Sequence, residues 1–97
     1  MRCLIVEMSP AVENFRESLQ GILNENSVTG IRYNIPPRNI PIILNAVIEK
    51  FDGTVQLIIS FTEYHYELVM RFIEDLQSIA NIQKIEVAKE LLGLPTR

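Results

Sequence analysis

The run Thr54-Val55-Gln56-Leu57-Ile58-Ile59-Ser60-Phe61-Thr62 constrains the fold more than any other stretch. Val55, Leu57, Ile59 and Phe61 fall on one face of an extended chain, and Gln56, Ile58 and Ser60 on the other. Asp52-Gly53 marks its start, and Thr62 is a residue that can cap a following helix. An inner strand with one fully apolar face and one mixed face is therefore expected. The fold has to supply a cover for each.

The chain's 97 residues suffice for one domain spanning 1–97, and 47% apolar composition is enough for a core without metal or disulfide staples. The 14 isoleucines favour strands, because two heavy atoms on Cβ restrict χ1. A formal charge of -3, without a Lys/Arg run, argues against non-specific binding to nucleic acid or to an anionic membrane. Cys3 is the single cysteine, so no intrachain disulfide forms and nothing points to an oxidising compartment. No apolar run has spanning length, and the opening residues read as strand then helix rather than as a leader. Cytoplasmic or virion-internal residence is expected.

Cys3–Met8 reads as a first strand, apolar on both faces through its middle and therefore central. Ser9-Pro10 reads as the N-cap and first residue of a helix carrying Val12, Phe15, Leu19, Ile22 and Leu23. Val28–Ile35 reads as an edge strand, stopped by Pro36-Pro37. Asn39 then introduces a second helix over Ile40–Phe51, apolar nearly all round and so buried on more than one side. After the Thr54–Thr62 strand, a third helix is expected from Glu63 to about Ala80. Tyr64, Leu68, Phe72, Leu76 and Ile79 form its apolar side, and Glu67, Arg71 and Asp75 ladder its wet side. Ile82–Ala88 is a last, edge strand with Ile85 and Val87 facing in and Lys84 and Glu86 facing out. Glu90–Gly93 looks like one helical turn closed by glycine.

The expected order is thus β-α-β-α-β-α-β. Polar outer faces on both edge strands favour an α+β two-layer ferredoxin-like sandwich with an extra helix between strands 2 and 3. The alternative is an α/β four-stranded parallel flavodoxin-like sheet. In the first case the extra helix covers the outer sheet face or meets a second subunit. Ile42 and Ala46 on that helix, with Gln56 and Ile58 on the sheet, are the interface candidates.

The layout of L-I-V-E-M-S-P, V-T-G-I, L-I-I-S-F-T-E before a long helix, and I-Q-K-I-E-V resembles the small ferredoxin-like regulatory domains of the PII/CutA and ACT type. The resemblance implies oligomerisation through the sheets and sensing of a small ligand or partner. It departs from the PII pattern where those proteins carry a long ligand-responsive loop, because this chain has Pro36-Pro37 there.

Candidate chemistry is sparse. His65 is the single histidine, and without a second His or Cys at metal spacing it reads as a surface or helix-cap residue. Cys3, inside an apolar strand, reads as a small hydrophobe. Glu7 stands at the carboxyl end of a central strand, where sites gather. Ser9 and Thr62, each before a helix, are candidates for an anion site built on free helix N–H groups. Arg32 and Arg38 form the locally positive stretch of an acidic chain, suited to an anionic ligand or to stacking on RNA bases. The leading expectation is a non-enzymatic homo-oligomeric interaction or regulatory domain needing no cofactor or metal. A small-anion or nucleotide sensor, with Glu7, Ser9, Arg32, Arg38 and Thr62 as ligand-binding residues, comes second. An RNA- or DNA-binding module using Arg32 and Arg38 comes third, and an enzyme last.

Overall fold

A computed structural model describes residues 2–30 and 42–88. The elements are β1 (Arg2–Pro10), α1 (Phe15–Glu25), β2 (Val28–Gly30), β3 (Ile42–Glu49), β4 (Val55–Phe61), α2 (Tyr66–Leu76) and β5 (Ala80–Ala88). A single 3-10 turn, Glu63–His65, precedes α2. The sheet order is β2-β3-β4-β1-β5. β3, β4, β1 and β5 pair antiparallel throughout, and only the three-residue β2 runs parallel to its neighbour, β3. The four antiparallel strands with α1 and α2 make a ferredoxin-like α+β fold, with β2 added at one edge.

Two expectations are overturned. The sheet is not parallel, which excludes the flavodoxin-like alternative. The extra helix expected over Ile40–Phe51 does not exist as such: Ile42–Glu49 is β3, an inner strand between β2 and β4, so the order β-α-β-α-β-α-β fails. The reason lies in one bulge. Ile42, Leu44, Val47 and Glu49 pair with Phe61, Ile59, Leu57 and Val55, while Ile43, Ala46 and Ile48 pair with Ser60, Ile58 and Gln56. The register slips between Leu44 and Ala46. One extra residue, Asn45, breaks the period of two, and a two-sided apolar strand then mimics an all-round apolar helix. Branched residues at 42, 43, 47 and 48 favour the extended chain.

Other boundaries move as well. Ser9-Pro10 closes β1 instead of opening a helix, and Asn14 is the N-cap of α1. Pro10 sits at the last position of its strand, opposite Ala80, where a missing N–H costs little. Of the expected strand Val28–Ile35, Val28–Gly30 is strand. Residues 31–35, like Pro36-Pro37, Asn39 and the turn at Glu90–Gly93, lie outside the described residues. α2 starts at Tyr66 and buries Val69, Phe72, Ile73 and Leu76; Tyr64 is fully exposed and Ile79 precedes β5. Asp75 accepts from Asn26 Nδ2 at 3.0 Å, tying α2 to the end of α1.

Both helices pack on one face of the sheet. Leu4, Val6 and Met8 of β1 and Val55, Leu57, Ile59 and Phe61 of β4 meet Phe15, Leu19, Ile22 and Leu23 of α1 and the buried side of α2. The β3–β4 hairpin is closed by Lys50 N–H donating to the Thr54 carbonyl at 2.9 Å. Gly53 lies in the left-handed region at φ 90°, which a three-residue loop of this kind needs. Its N–H donates to the Lys50 carbonyl at 3.0 Å.

After α1, Ser27 holds φ 57°, a conformation that strains any side chain with a Cβ. Ser27→Gly is expected to stabilise the fold by up to about 1 kcal/mol in urea denaturation, because glycine adopts that geometry freely. Phe72 is fully buried between α2 and the sheet. Phe72→Ala is expected to cost about 3–5 kcal/mol in the same assay.

Candidate functional site

The β1–β4 ladder runs from Arg2↔Phe61 to Met8↔Val55, so the end of β1 and the end of β4 lie at opposite ends of the sheet. Ser9 and Thr62 are therefore not brought together, and no single anion can use both. Ser9 accepts a hydrogen bond from Gln83 Nε2. Thr62 Oγ1 shares a hydrogen bond with His65 Nδ1 at 2.9 Å across the 3-10 turn, and neither side chain bonds a helix N–H as a cap. Arg32 and Arg38 lie outside the described residues.

At the Ser9 end, the loop from Pro10 to Asn14, the first turn of α1 and the β3–β4 hairpin surround an open cleft. Ala11 N–H donates to the Ile79 carbonyl at 2.9 Å and fixes the loop over the start of β5. Arg16 and Lys50 line this cleft, and each is already bonded. Arg16 donates twice to Glu49, Nε to Oε2 at 3.1 Å and NH2 to Oε1 at 2.7 Å. Lys50 Nζ donates to Glu7 Oε2 at 3.0 Å across the sheet face. Glu7, expected at a strand end, lies inside β1, which runs on to Pro10, and its carboxylate is the partner of Lys50. An anion entering here has to displace a carboxylate.

In the hairpin itself, Asp52 accepts from Thr54 N–H at 3.0 Å and from Thr54 Oγ1 at 2.7 Å. These bonds, the hydroxyl's foremost, hold its carboxyl below the ordinary aspartate value. At the opposite end of the sheet Arg2 donates to Glu63 at 2.8 Å and lowers the Glu63 carboxyl in the same sense. Burial raises the Cys3 thiol, and a hydrogen bond with Ser60 offsets part of that. Among the described residues no group of three or more His, Cys, Asp or Glu could hold a metal. No helix among them is long and apolar enough to cross a membrane.

Two apolar surfaces stand out beside these polar features. On the sheet face away from the helices, Ile5, Ile58 and Ala46 lie side by side in one cross-strand row, with Ile43 and Ile48 in the rows on either side. Ser60 is buried on this face and accepts from Asn45 Nδ2 at 2.6 Å. Of the interface candidates, Ala46, Gln56 and Ile58 lie here. Ile42 points the other way and is fully buried in the core. The second surface is a groove between α2 and β5, floored by Leu4, Phe61 and Ile73 and lined by Tyr66, Met70, Ile85 and Val87. Ile85 and Val87 do face the helix side, but α2 does not cover them: they remain 46% and 65% exposed. Alternation marked their direction correctly and could not reveal how far the helix layer extends.

No protein-family model matches the chain, and no curated protein is similar to it in sequence. The chain has the fold of the ferredoxin-like α+β sandwiches. A solved structure similar to it is the crystal structure of acylphosphatase from Bacillus subtilis. That structure has a TM-score of 0.55 and 17% identity, with 96% of this chain and 91% of that chain covered. At this identity the likeness is one of fold.

Thr54→Val removes the hydroxyl donor, so the Asp52 titration midpoint, followed by NMR of its side-chain carboxyl, is expected to rise. A depressed carboxyl stabilises the fold above its unfolded value and loses that contribution as pH falls through the folded value. The acid-side loss of stability carried by Asp52 should accordingly shrink in the variant.

Proposed function

We propose that this chain is a non-enzymatic interaction domain of regulatory type that works as a homo-oligomer. The observation that supports it most is the apolar row Ile5-Ile58-Ala46, flanked by Ile43 and Ile48, on a sheet face that no helix among the described residues covers. The α2–β5 groove adds Tyr66, Met70, Ile85 and Val87, all substantially exposed. Apolar surface that a chain leaves uncovered marks a site of association. The acidic balance favours a protein partner over nucleic acid or an anionic membrane.

Acylphosphatase activity, named by the structural neighbour, is the enzymatic counterpart to weigh. Against it, Arg16 and Lys50 at the cleft are each bonded to a carboxylate, and no paired nucleophile and base accompany them among the described residues. Sedimentation velocity over a wide concentration range is expected to show a species larger than one chain. Assays with an acyl phosphate are expected to show no turnover above background. A monomer at every concentration, or turnover lost in Arg16→Ala, overturns the reading.

A further inference from the structure

β5 is a nine-residue strand bonded on one side to β1 and, among the described residues, to nothing on the other. An uncovered strand edge is a template for a further strand. The side chains along it carry a pattern that selects the partner. Lys84 and Glu86 lie on the open face of the sheet, two residues apart, and bond to each other at 3.0 Å. Ile85 and Val87 point to the opposite face, into the groove beside Tyr66 and Met70 of α2.

We propose that the α2–β5 face is the homo-oligomer interface, occupied by a second copy of this chain. β5 pairs antiparallel with the partner's β5 about a two-fold axis at Ile85. This inference rests on the oligomeric reading above and assigns the contact to the groove and its strand edge rather than to the Ile5-Ile58-Ala46 row.

Antiparallel pairing about residue 85 sets position 84 opposite 86, and 82 opposite 88. Each Lys84 then faces the other chain's Glu86, and each Glu86 faces the other chain's Lys84, so two opposite-charge pairs form where a parallel or shifted strand would set like charges together. An edge lysine normally discourages strand addition. Here the glutamate two residues later neutralises it for one partner only, another copy in this register. On the other face Ile85 meets Ile85, and the two-fold carries the second α2 alongside the first. The exposed Tyr66 and Met70 of both copies then cover the paired strands from above. The contact is isologous, with the same patch on both chains, as closed two-fold dimers require. Pairing through this edge joins two sheets into one and leaves the Ile5-Ile58-Ala46 face free.

The test is a charge-swap series measured by sedimentation equilibrium, with circular dichroism melts to show that each variant is folded. Lys84→Glu and Glu86→Lys each place two like-charge pairs across the two-fold, and each is expected to weaken the dimer by about tenfold or more. Lys84→Glu combined with Glu86→Lys restores opposite charges and is expected to regain most of the wild-type affinity. Hydrogen exchange of the β5 amides is expected to slow as wild-type concentration rises through the dimer range. A wild-type oligomer indifferent to both single changes leaves the oligomeric reading standing and overturns this interface. A double variant as weak as either single one overturns the two-fold register. Protection of β5 that does not depend on concentration shows the edge to be covered within the chain and overturns the proposal. A monomeric wild type removes the reading and the interface together.

Discussion

The pairing of β1 with β4 is the contact on which the rest depends. Seven successive positions match, from Arg2↔Phe61 to Met8↔Val55, and they set two apolar rows side by side under the helices. Val6 and Leu57, opposite each other in this ladder, are wholly buried. A slip of one residue would turn Gln56, Ile58 and Ser60 into the core and Val55, Leu57 and Ile59 out of it. The hairpin turn holds β3 in register with β4, the helices cap the shared apolar face, and β5 adds to the other side of β1. Each later element is placed by a row that these two strands create.

Electrostatics follow the same frame. The described ion pairs stand at the surface: Arg2–Glu63 at one end of the sheet, Arg16–Glu49 and Lys50–Glu7 toward the other, Lys84–Glu86 on β5. Exposed pairs of this kind contribute little to stability, because water screens them and two long side chains must be held in place. Their significance lies in occupancy. Arg16 and Lys50, which could otherwise receive an anion in the cleft, are neutralised by residues of β3 and β1. Glu13 and Glu17 also line the cleft, so its balance is acidic and unsuited to an anion, whereas the other exposed surfaces that stand out are apolar.

Much of this architecture can be read from particular residues. The alternation at 55–61 gives β4 and its inner row, Asp52-Gly53 gives the turn before it, and the two-sided apolarity of Cys3–Met8 makes β1 central. The polar pattern at Lys84 and Glu86 gives an edge. What pattern cannot give is β3, because Asn45 adds a residue to the strand and shifts the phase of everything after it. That shift also hides part of the site. Glu49 meets Arg16 only when 42–49 is extended and ends beside the first turn of α1, so a helical reading of the stretch conceals the pair. Ser9 and Thr62 mislead for a related reason: similar local signals follow two strands that run in opposite directions. The exposure of Ile85 and Val87 depends on where α2 lies over the sheet, a tertiary quantity that periodicity does not carry.

The position of β1 also bears on how the chain reaches its native state. Its two neighbours, β4 and β5, start at Val55 and Ala80, so the strand that forms first in sequence is flanked by strands that come much later. Each flank closes a long loop, and loop closure has to be met before the contacts repay it. During synthesis both edges of β1 stay open until Val55–Phe61 has emerged, and the edge toward β5 until Ala80–Ala88 has. An apolar strand open on two sides for that interval is a substrate for chaperones and a starting point for misassembly. Local helices and the β3–β4 hairpin can form early, but the centre of the sheet is completed late.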